Sequence, residues 1–216
     1  MNILIMGPAG SGKGTMSTQI VKEFGVAHIS TGDMFRAAIS NGTPVGLEAK
    51  SYMDAGKLVP DEVTDRMVKE RISQDDTKDG YLLDGYPRNL SQAHAIESMA
   101  KEIGKPVEVV INLEIPYEAL VKRITGRRLC KTCGAIYNIY SNPSKTEGVC
   151  DLDGGELYQR SDDTEEKLAV RYNEYIEQTQ ASIEYFNEKG LVHNVNADRP
   201  AEEVMEQIRK ILEAVK

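Results

Sequence analysis

The 216 residues carry 26 Lys and Arg against 34 Asp and Glu, a formal net charge of -8. Such a balance argues against nucleic acid or an anionic membrane as the main partner, so any anion the chain binds must meet a local basic cluster. Aromatic residues make up 6% and Trp is absent, so a chain long enough for one domain with insertions, or two small ones, must build an aliphatic core.

The apolar run Asn2-Ile3-Leu4-Ile5-Met6 reads as a buried strand, and Gly7-Pro8-Ala9-Gly10-Ser11-Gly12-Lys13-Gly14-Thr15 follows it directly. The Gly-x4-Gly-Lys spacing is the phosphate-loop pattern, in which backbone N–H groups and a helix N-terminus surround an anion while the lysine reaches the outer phosphates. Strand before and helix after is the context that pattern requires. Gly14 stands where the general pattern has Ser or Thr, and the hydroxyl comes one place later at Thr15. A magnesium-ligand role therefore does not transfer directly to Thr15.

Thr15 to Glu23 has helical periodicity and Val26 to Ser30 reads as a second strand. Alternating strand and helix imply a parallel sheet with helices on both faces and ligands at the carboxyl ends of the strands. From Thr31 to Pro60 the alternation stops: helix entry at Thr31-Gly32-Asp33, continuation over Met34 to Ile39, a short helix Leu47 to Asp54 ended by Gly56. Helix after helix suggests an insertion folded over the sheet edge. A further helix, Asp61 to Ile72, precedes the third strand, Tyr81 to Asp84, which runs into Gly85-Tyr86-Pro87-Arg88. An acidic residue ending a strand beside a phosphate loop is the usual partner of the magnesium hydration shell, although a lone Asp there can be a turn residue.

Ser91 to Ile103 reads as helix, Val107 to Leu113 as strand, and Tyr117 to Thr125 as helix. The alternation breaks again over 126–163, and a long helix then begins at the Asp163-x-x-Glu166 signal and extends toward Glu188 and Gly190. Leu191 to Val195 forms the last strand and Pro200 to Val215 the closing helix. The opening apolar run is only a strand long and no stretch approaches membrane-spanning length, so the expected location is cytoplasmic, with no membrane partner.

All three cysteines lie in the second break, as Cys130-x2-Cys133-x16-Cys150-x2-Asp153. An odd cysteine count is no disulfide framework, whereas two ligand-bearing knuckles with one carboxylate suit a closed, structural zinc site. Three reduced cysteines in a hairpin is the plainer reading. A zinc-ribbon nucleic-acid module is the sharper rival, but Asp151, Asp153, Glu156, Asp162 and Asp163 make the segment acidic. Within this acidic chain, Arg36, Arg88, Arg123, Arg127, Arg160 and Arg171 fall at insertion borders or near strand ends. Arginine suits bidentate contact with phosphoryl oxygens.

Taken together, the loop, Thr31-Gly32-Asp33-Met34-Phe35-Arg36, Leu83-Asp84-Gly85-Tyr86-Pro87-Arg88, Gly126-Arg127-Arg128 and the Cys130, Cys133, Cys150, Asp153 quartet closely resemble the adenylate kinase family in its long bacterial form with a zinc-bearing lid. The resemblance covers essentially the whole chain. It implies an α/β fold of the phosphate-loop NTPase type, a three-layer sandwich around a five-stranded parallel sheet. The implied core is 1–30, 61–125 and 164–216, with a helical nucleoside monophosphate-binding insert at 31–60 and a small β-rich lid at 126–163. It also implies magnesium-dependent conversion of ATP and AMP to two ADP by a monomer, with structural zinc in the lid.

By matching motif, Gly10, Ser11, Gly12, Lys13, Gly14 and Thr15 would hold the ATP phosphates, with Arg123, Arg127, Ile136 and Tyr137 around ATP and Arg199 meeting adenine through its backbone. Arg36 and Arg88 would hold the AMP phosphate, with Thr31, Lys57, Leu58, Val59, Gly85, Tyr86, Pro87 and Gln92 around the rest of AMP. Arg160 and Arg171 would bridge both nucleotides, Asp84 would face the magnesium shell, and Asp162 and Asp163 would help the lid close. Two positions depart from the family pattern: Ala9, where proline is common, and Asn89, where threonine is common. The rivals are a kinase for UMP, CMP or GMP, a GTP-binding switch, which lacks here an Asn-Lys-x-Asp motif, and a zinc-dependent nucleic-acid binder.

Overall fold

The computed structural model describes residues 1–215. Strand β1 (Asn2–Met6) is buried along its whole length. Its side chains alternate between two cores: Ile3 and Ile5 face one cluster, Leu4 and Met6 the other. That is why the run reads as continuously apolar, since a central parallel strand has no solvent face. On the first face lie α1 (Lys13–Phe24) and α9 (Ala201–Val215), which contribute Met16, Ile20, Val204 and Ile208. On the second lie α4 (Asp61–Ile72) and α5 (Leu90–Glu102), which contribute Val68, Ile72, Ile96 and Met99.

The other strands of the parallel sheet are β2 (Ala27–Ser30), β3 (Tyr81–Asp84), β4 (Val109–Glu114) and β8 (Val192–Asn196). Their order is β2-β3-β1-β4-β8. The chain leaves β1 with β3 on one side and β4 on the other, so the loop after β1 opens into the crevice where ligands bind in such sheets. The expected α/β three-layer architecture with five parallel strands is therefore present.

Between β2 and α4 the chain makes two helices, α2 (Thr31–Ser40) and α3 (Pro44–Asp54), around a small cluster of Phe35, Ala49, Val59 and Val63. Helix α3 starts three residues before Leu47, because the Thr43 side chain caps it and Pro44 occupies its first turn. After α6 (Tyr117–Gly126) come β5 (Arg127–Cys130), β6 (Ile136–Asn138) and β7 (Leu157–Tyr158). These form a separate antiparallel sheet in the order β6-β5-β7.

The long helix differs from its sequence reading at both start and middle. It begins as α7 (Glu165–Glu174) with Thr164, not Asp163, accepting the capping bond from the Lys167 N–H. One wider π-helical turn, Tyr175–Thr179, interrupts it before α8 (Gln180–Asn187). Among the described residues no helix is long and apolar enough to cross a membrane.

Candidate active site

The loop after β1 is shaped by glycines. A Cβ on Gly7 (φ 134°) would lie 2.7 Å from the Leu113 carbonyl, so only glycine lets the chain turn away this close to β4. Gly12 caps α1 in the left-handed region (φ 100°) without any side-chain hydrogen bond. The first N–H groups of α1 are consequently left to an outside acceptor, the arrangement that favours an anion. Ser11 Oγ is buried and has no hydrogen-bond partner among the described residues. Ala9, the first departure from the family pattern, packs with Leu120 and Ile124 under the loop.

Lys13 Nζ donates to the carbonyls of Gly7 and Pro8 at 2.8 and 3.0 Å. Burial pulls its pKa down to about 8; the Asp84 charge opposes this, while Arg88, Arg171 and Arg127 add to it. Across the loop, a Cβ on Gly14 would stand 3.6 Å from Ile136 Cδ1, so β6 lies directly over the start of α1. Thr15 sits in the first turn of α1, half-buried.

Guanidinium groups converge on this loop from four segments. Arg88 is anchored three ways: its Nε donates to Gly85 O at 2.8 Å, its N–H to Gln92 Oε1 at 2.8 Å, and its carbonyl accepts from Thr179 Oγ1 at 2.8 Å. Burial pushes its pKa down, with Asp84 opposing and Arg36 adding. Arg171 pairs with Asp162 at 2.9 Å, and burial still lowers it to about 10. Arg127 makes a two-bond pair with Asp163, Nε to Oδ2 at 2.8 Å. Burial works against the Arg127 charge, but the Asp163 hydrogen bonds and charge outweigh it and raise the pKa. Arg36 Nε donates to Asp33 Oδ1 at 3.2 Å, and Arg160 reaches the same oxygen at 3.5 Å from the far insert. Arg160 Nε is buried without a partner among the described residues. Burial depresses the Arg160 pKa, and Arg36 and Arg127 depress it further.

These cations disfavour one another, a costly arrangement for a protein to hold unless a multiply charged anion belongs among them. Asp84 ends β3 beside Lys13 and Arg88, favouring both charges. Arg123 lies against the same loop from the side of α6, its guanidinium 3.9 Å from where a Cβ on Gly12 would stand. Its guanidinium donates to Ser11 O at 3.3 Å and to Ala197 O at 2.8 Å, strapping the loop to the end of β8. Arg199, two residues beyond Ala197, is exposed.

Two cavities meet at Arg88. One runs from the phosphate loop past Lys13 and Arg171 to Tyr175. The other lies over α2 and is lined by Thr31, Phe35, Met53, Val59 and Gln92, with Lys57 and Leu58 at its side. Leu58, Gly85 and Arg88 border both. Thr31 Oγ1 donates to Gly85 O at 2.8 Å, tying the start of α2 to the end of β3. Tyr86 borders the first of these cavities and is joined to Pro87 by a cis bond. Its ring is in the core with Leu83 and Ile96, and its hydroxyl donates to Asp65 at 2.6 Å.

In the β6-β5-β7 sheet, the ligand atoms of Cys130, Cys133, Cys150 and Asp153 all lie within 4.8 Å of one another. Cys133 and Cys150 Sγ are 3.7 Å apart, close to the spacing of about 3.8 Å that a tetrahedral ion with metal–sulfur bonds near 2.3 Å imposes. Asp153 is held ionised, its pKa lowered to about 2 chiefly by the Gly155 N–H, 2.8 Å away. The quartet fits a four-coordinate divalent ion. Tyr137 turns toward it, its hydroxyl 3.4 Å from Cys150 Sγ and accepting from the Asp151 N–H at 2.8 Å. Its neighbour Ile136 faces the phosphate loop, so alternate residues of β6 serve two sites.

A sequence model of the family described as "Adenylate kinase" matches residues 5–191. The adenylate kinase of Bacillus subtilis is 50% identical over 216 residues, covering 100% of both chains. That of Desulforamulus reducens is 53% identical over 216 residues, again 100% of both, and that of Carboxydothermus hydrogenoformans is 53% identical over 213 residues, 99% of this chain and 100% of its own. The chain belongs to the adenylate kinase family.

For an adenylate kinase the second departure now has a structural account. Asn89 caps α5, its Oδ1 accepting the Gln92 N–H at 2.8 Å, and its Nδ2 donates to Asp61 at 2.9 Å. Two groups escaped sequence reasoning. Asp33 was visible only as a helix-entry residue, and its bond to Arg160 spans 127 positions. Thr179 carried no signal, because the π-helical turn that aims it at Arg88 has no marker in sequence. Asp163, expected to start a helix, is instead buried against Arg127.

Proposed function

We propose that this adenylate kinase transfers the terminal phosphoryl group of ATP reversibly to AMP, giving two ADP. The observation that carries the reading is the meeting of two cavities at Arg88, within a group of buried cations. One cavity would take the acceptor base and sugar beside Arg88, and the other leads to the phosphate loop. Gly10 to Thr15 would receive the ATP phosphates. Lys13 would exchange its carbonyl partners for phosphate oxygens, and Arg127, Arg160 and Arg171 would gather the charge that spreads over the transferring group. Arg36 and Arg88 would hold the acceptor phosphate. A phosphate monoester has a second pKa near 6, so its oxygen is mostly ionised at neutral pH and needs no general base.

Adenylate kinases use Mg²⁺ with ATP, and the ion would neutralise charge on the phosphates. The carboxylate of Asp84, beside Lys13 among basic groups, would face its hydration shell. We further propose that 31–60 and 126–163 act as acceptor insert and lid, closing to exclude water that would otherwise hydrolyse ATP. The Arg160–Asp33 pair, which joins the two, supports that assignment. Zn²⁺ on Cys130, Cys133, Cys150 and Asp153 would contribute folding energy to the lid. We propose that the enzyme acts as a monomer. The deciding experiment is a coupled assay with ATP across AMP, CMP, UMP and GMP. AMP is expected to be the preferred acceptor by far, and equal or better turnover with another monophosphate would overturn the reading.

A further inference from the structure

Gln92 is 2% exposed and lines the smaller cavity. Both ends of its side chain are committed. Oε1 accepts from the Arg88 N–H at 2.8 Å, and Nε2 donates to Asp61 Oδ1 at 2.7 Å. A backbone N–H can only donate and a carboxylate can only accept, so one orientation of the amide satisfies both neighbours. The flipped amide would lose two hydrogen bonds and set its oxygen against a negative charge. Asn89 holds the other side of the arrangement: its Oδ1 accepts the Gln92 backbone N–H, and its Nδ2 shares the same Asp61 oxygen at 2.9 Å. A threonine at 89 would have one hydroxyl where this chain has an amide with two distinct ends.

We infer that Asp61 is a positioning residue that fixes the Gln92 amide and thereby selects a 6-aminopurine monophosphate over a 6-oxopurine one. This rests on the proposed placement of the acceptor base in the smaller cavity. With its orientation fixed, the amide has a lone pair on Oε1 and a second proton on Nε2 left for a ligand. A 6-aminopurine edge complements them: the amino group donates to the oxygen and N1 accepts from the nitrogen. A 6-oxopurine presents the reverse, an acceptor at position 6 and a donor at N1, and would need the amide turned over. Asp61 opposes that turn without contacting the nucleotide.

The test compares kcat/KM for AMP and inosine monophosphate, which differ in this edge, at saturating ATP. Asp61→Asn presents a group that can donate or accept, so the amide is no longer held at that end. The AMP-to-IMP ratio is expected to fall by about tenfold or more, mainly through KM for AMP, with KM for ATP unchanged. Asp61→Ser carries the same expectation if the asparagine variant does not fold. Loss of stability alone would lower the melting temperature and leave the ratio intact, and an unchanged ratio in a folded variant overturns the inference. Wild-type protein that does not use AMP overturns the inference together with the proposed acceptor, whereas normal AMP preference with an indifferent Asp61 overturns the inference alone.

Discussion

In the five-stranded sheet, Ile3, Leu4, Leu82, Leu83, Val110 and Ile111 are all fully buried and each face packs under helices. The lid sheet has behind it Cys130, Tyr137, Cys150 and Leu157, with Ala135 at the edge. Ile139, Tyr140 and Leu152 of the same segment remain exposed. Two of the four buried groups in that cluster are cysteines of the metal quartet. Thirty-eight residues exclude little apolar surface by themselves, and an ion on the Cys130, Cys133, Cys150 and Asp153 quartet would supply what the small core lacks. The site lies where the two kinds of structure meet. It takes Lys13 and Arg88 from beyond the ends of the parallel strands and Arg127 and Arg160 from the segment proposed to close over them.

The comparison is broken most severely at the sheet side of the site. Lys13→Met or Arg88→Ala should lower turnover by roughly a thousandfold with the melting temperature little changed, and near-normal turnover in either would remove its assigned role. At the lid, about one metal per chain is expected by elemental analysis of protein purified without chelator. Its removal should lower the melting temperature and increase proteolysis within 126–163 before the sheet unfolds. Unchanged melting of metal-free protein would show that the lid has another source of stability.

Leu82→Ala should cost about 2–5 kcal/mol in denaturant unfolding, because the residue is fully buried on the face of β3 that shares its core with α1 and α9. Its turnover at moderate temperature should hold. The pair of variants sharpens the contrast: metal loss acts on one segment, the core cavity on the whole fold.

A smaller effect follows from Lys13. With its pKa lowered from 10.5 to about 8, the unfolded chain binds more protons between those values, so this group makes stability rise with pH across that window. Binding moves the opposite way. The charge that meets ATP is lost above pH about 8, so KM for ATP should climb there while the arginines stay charged. A flat KM from pH 7 to 9 would show that the nucleotide itself keeps Lys13 protonated. The smallest change is expected from Asp33→Asn, which weakens a partly exposed bond between acceptor insert and lid. A few-fold change in turnover is expected, since exposed pairs are worth about 1 kcal/mol or less.

Much of the site was legible because its chemistry is local. The glycine spacing around Lys13 follows from backbone sterics in a single turn. The cysteine spacing follows from a ligand set that must close around one ion. Tyr86 shows what a motif leaves open, since the residue borders the larger cavity while its ring packs in the core. Arg123 is tied to the carbonyls of Ser11 and Ala197, contacts that its own stretch of sequence does not announce.

From the residues alone came the alternation of strand and helix, the two interruptions, the phosphate loop and the metal quartet, because each is set by periodicity or short-range spacing. Which oxygen joins Arg36 to Arg160, which threonine holds Arg88, and how Asp61 and Asn89 orient Gln92 depend on contacts between segments far apart in the chain. Hydrogen bonds of that kind are fixed by where packed elements bring donors and acceptors together, and only the tertiary structure decides that.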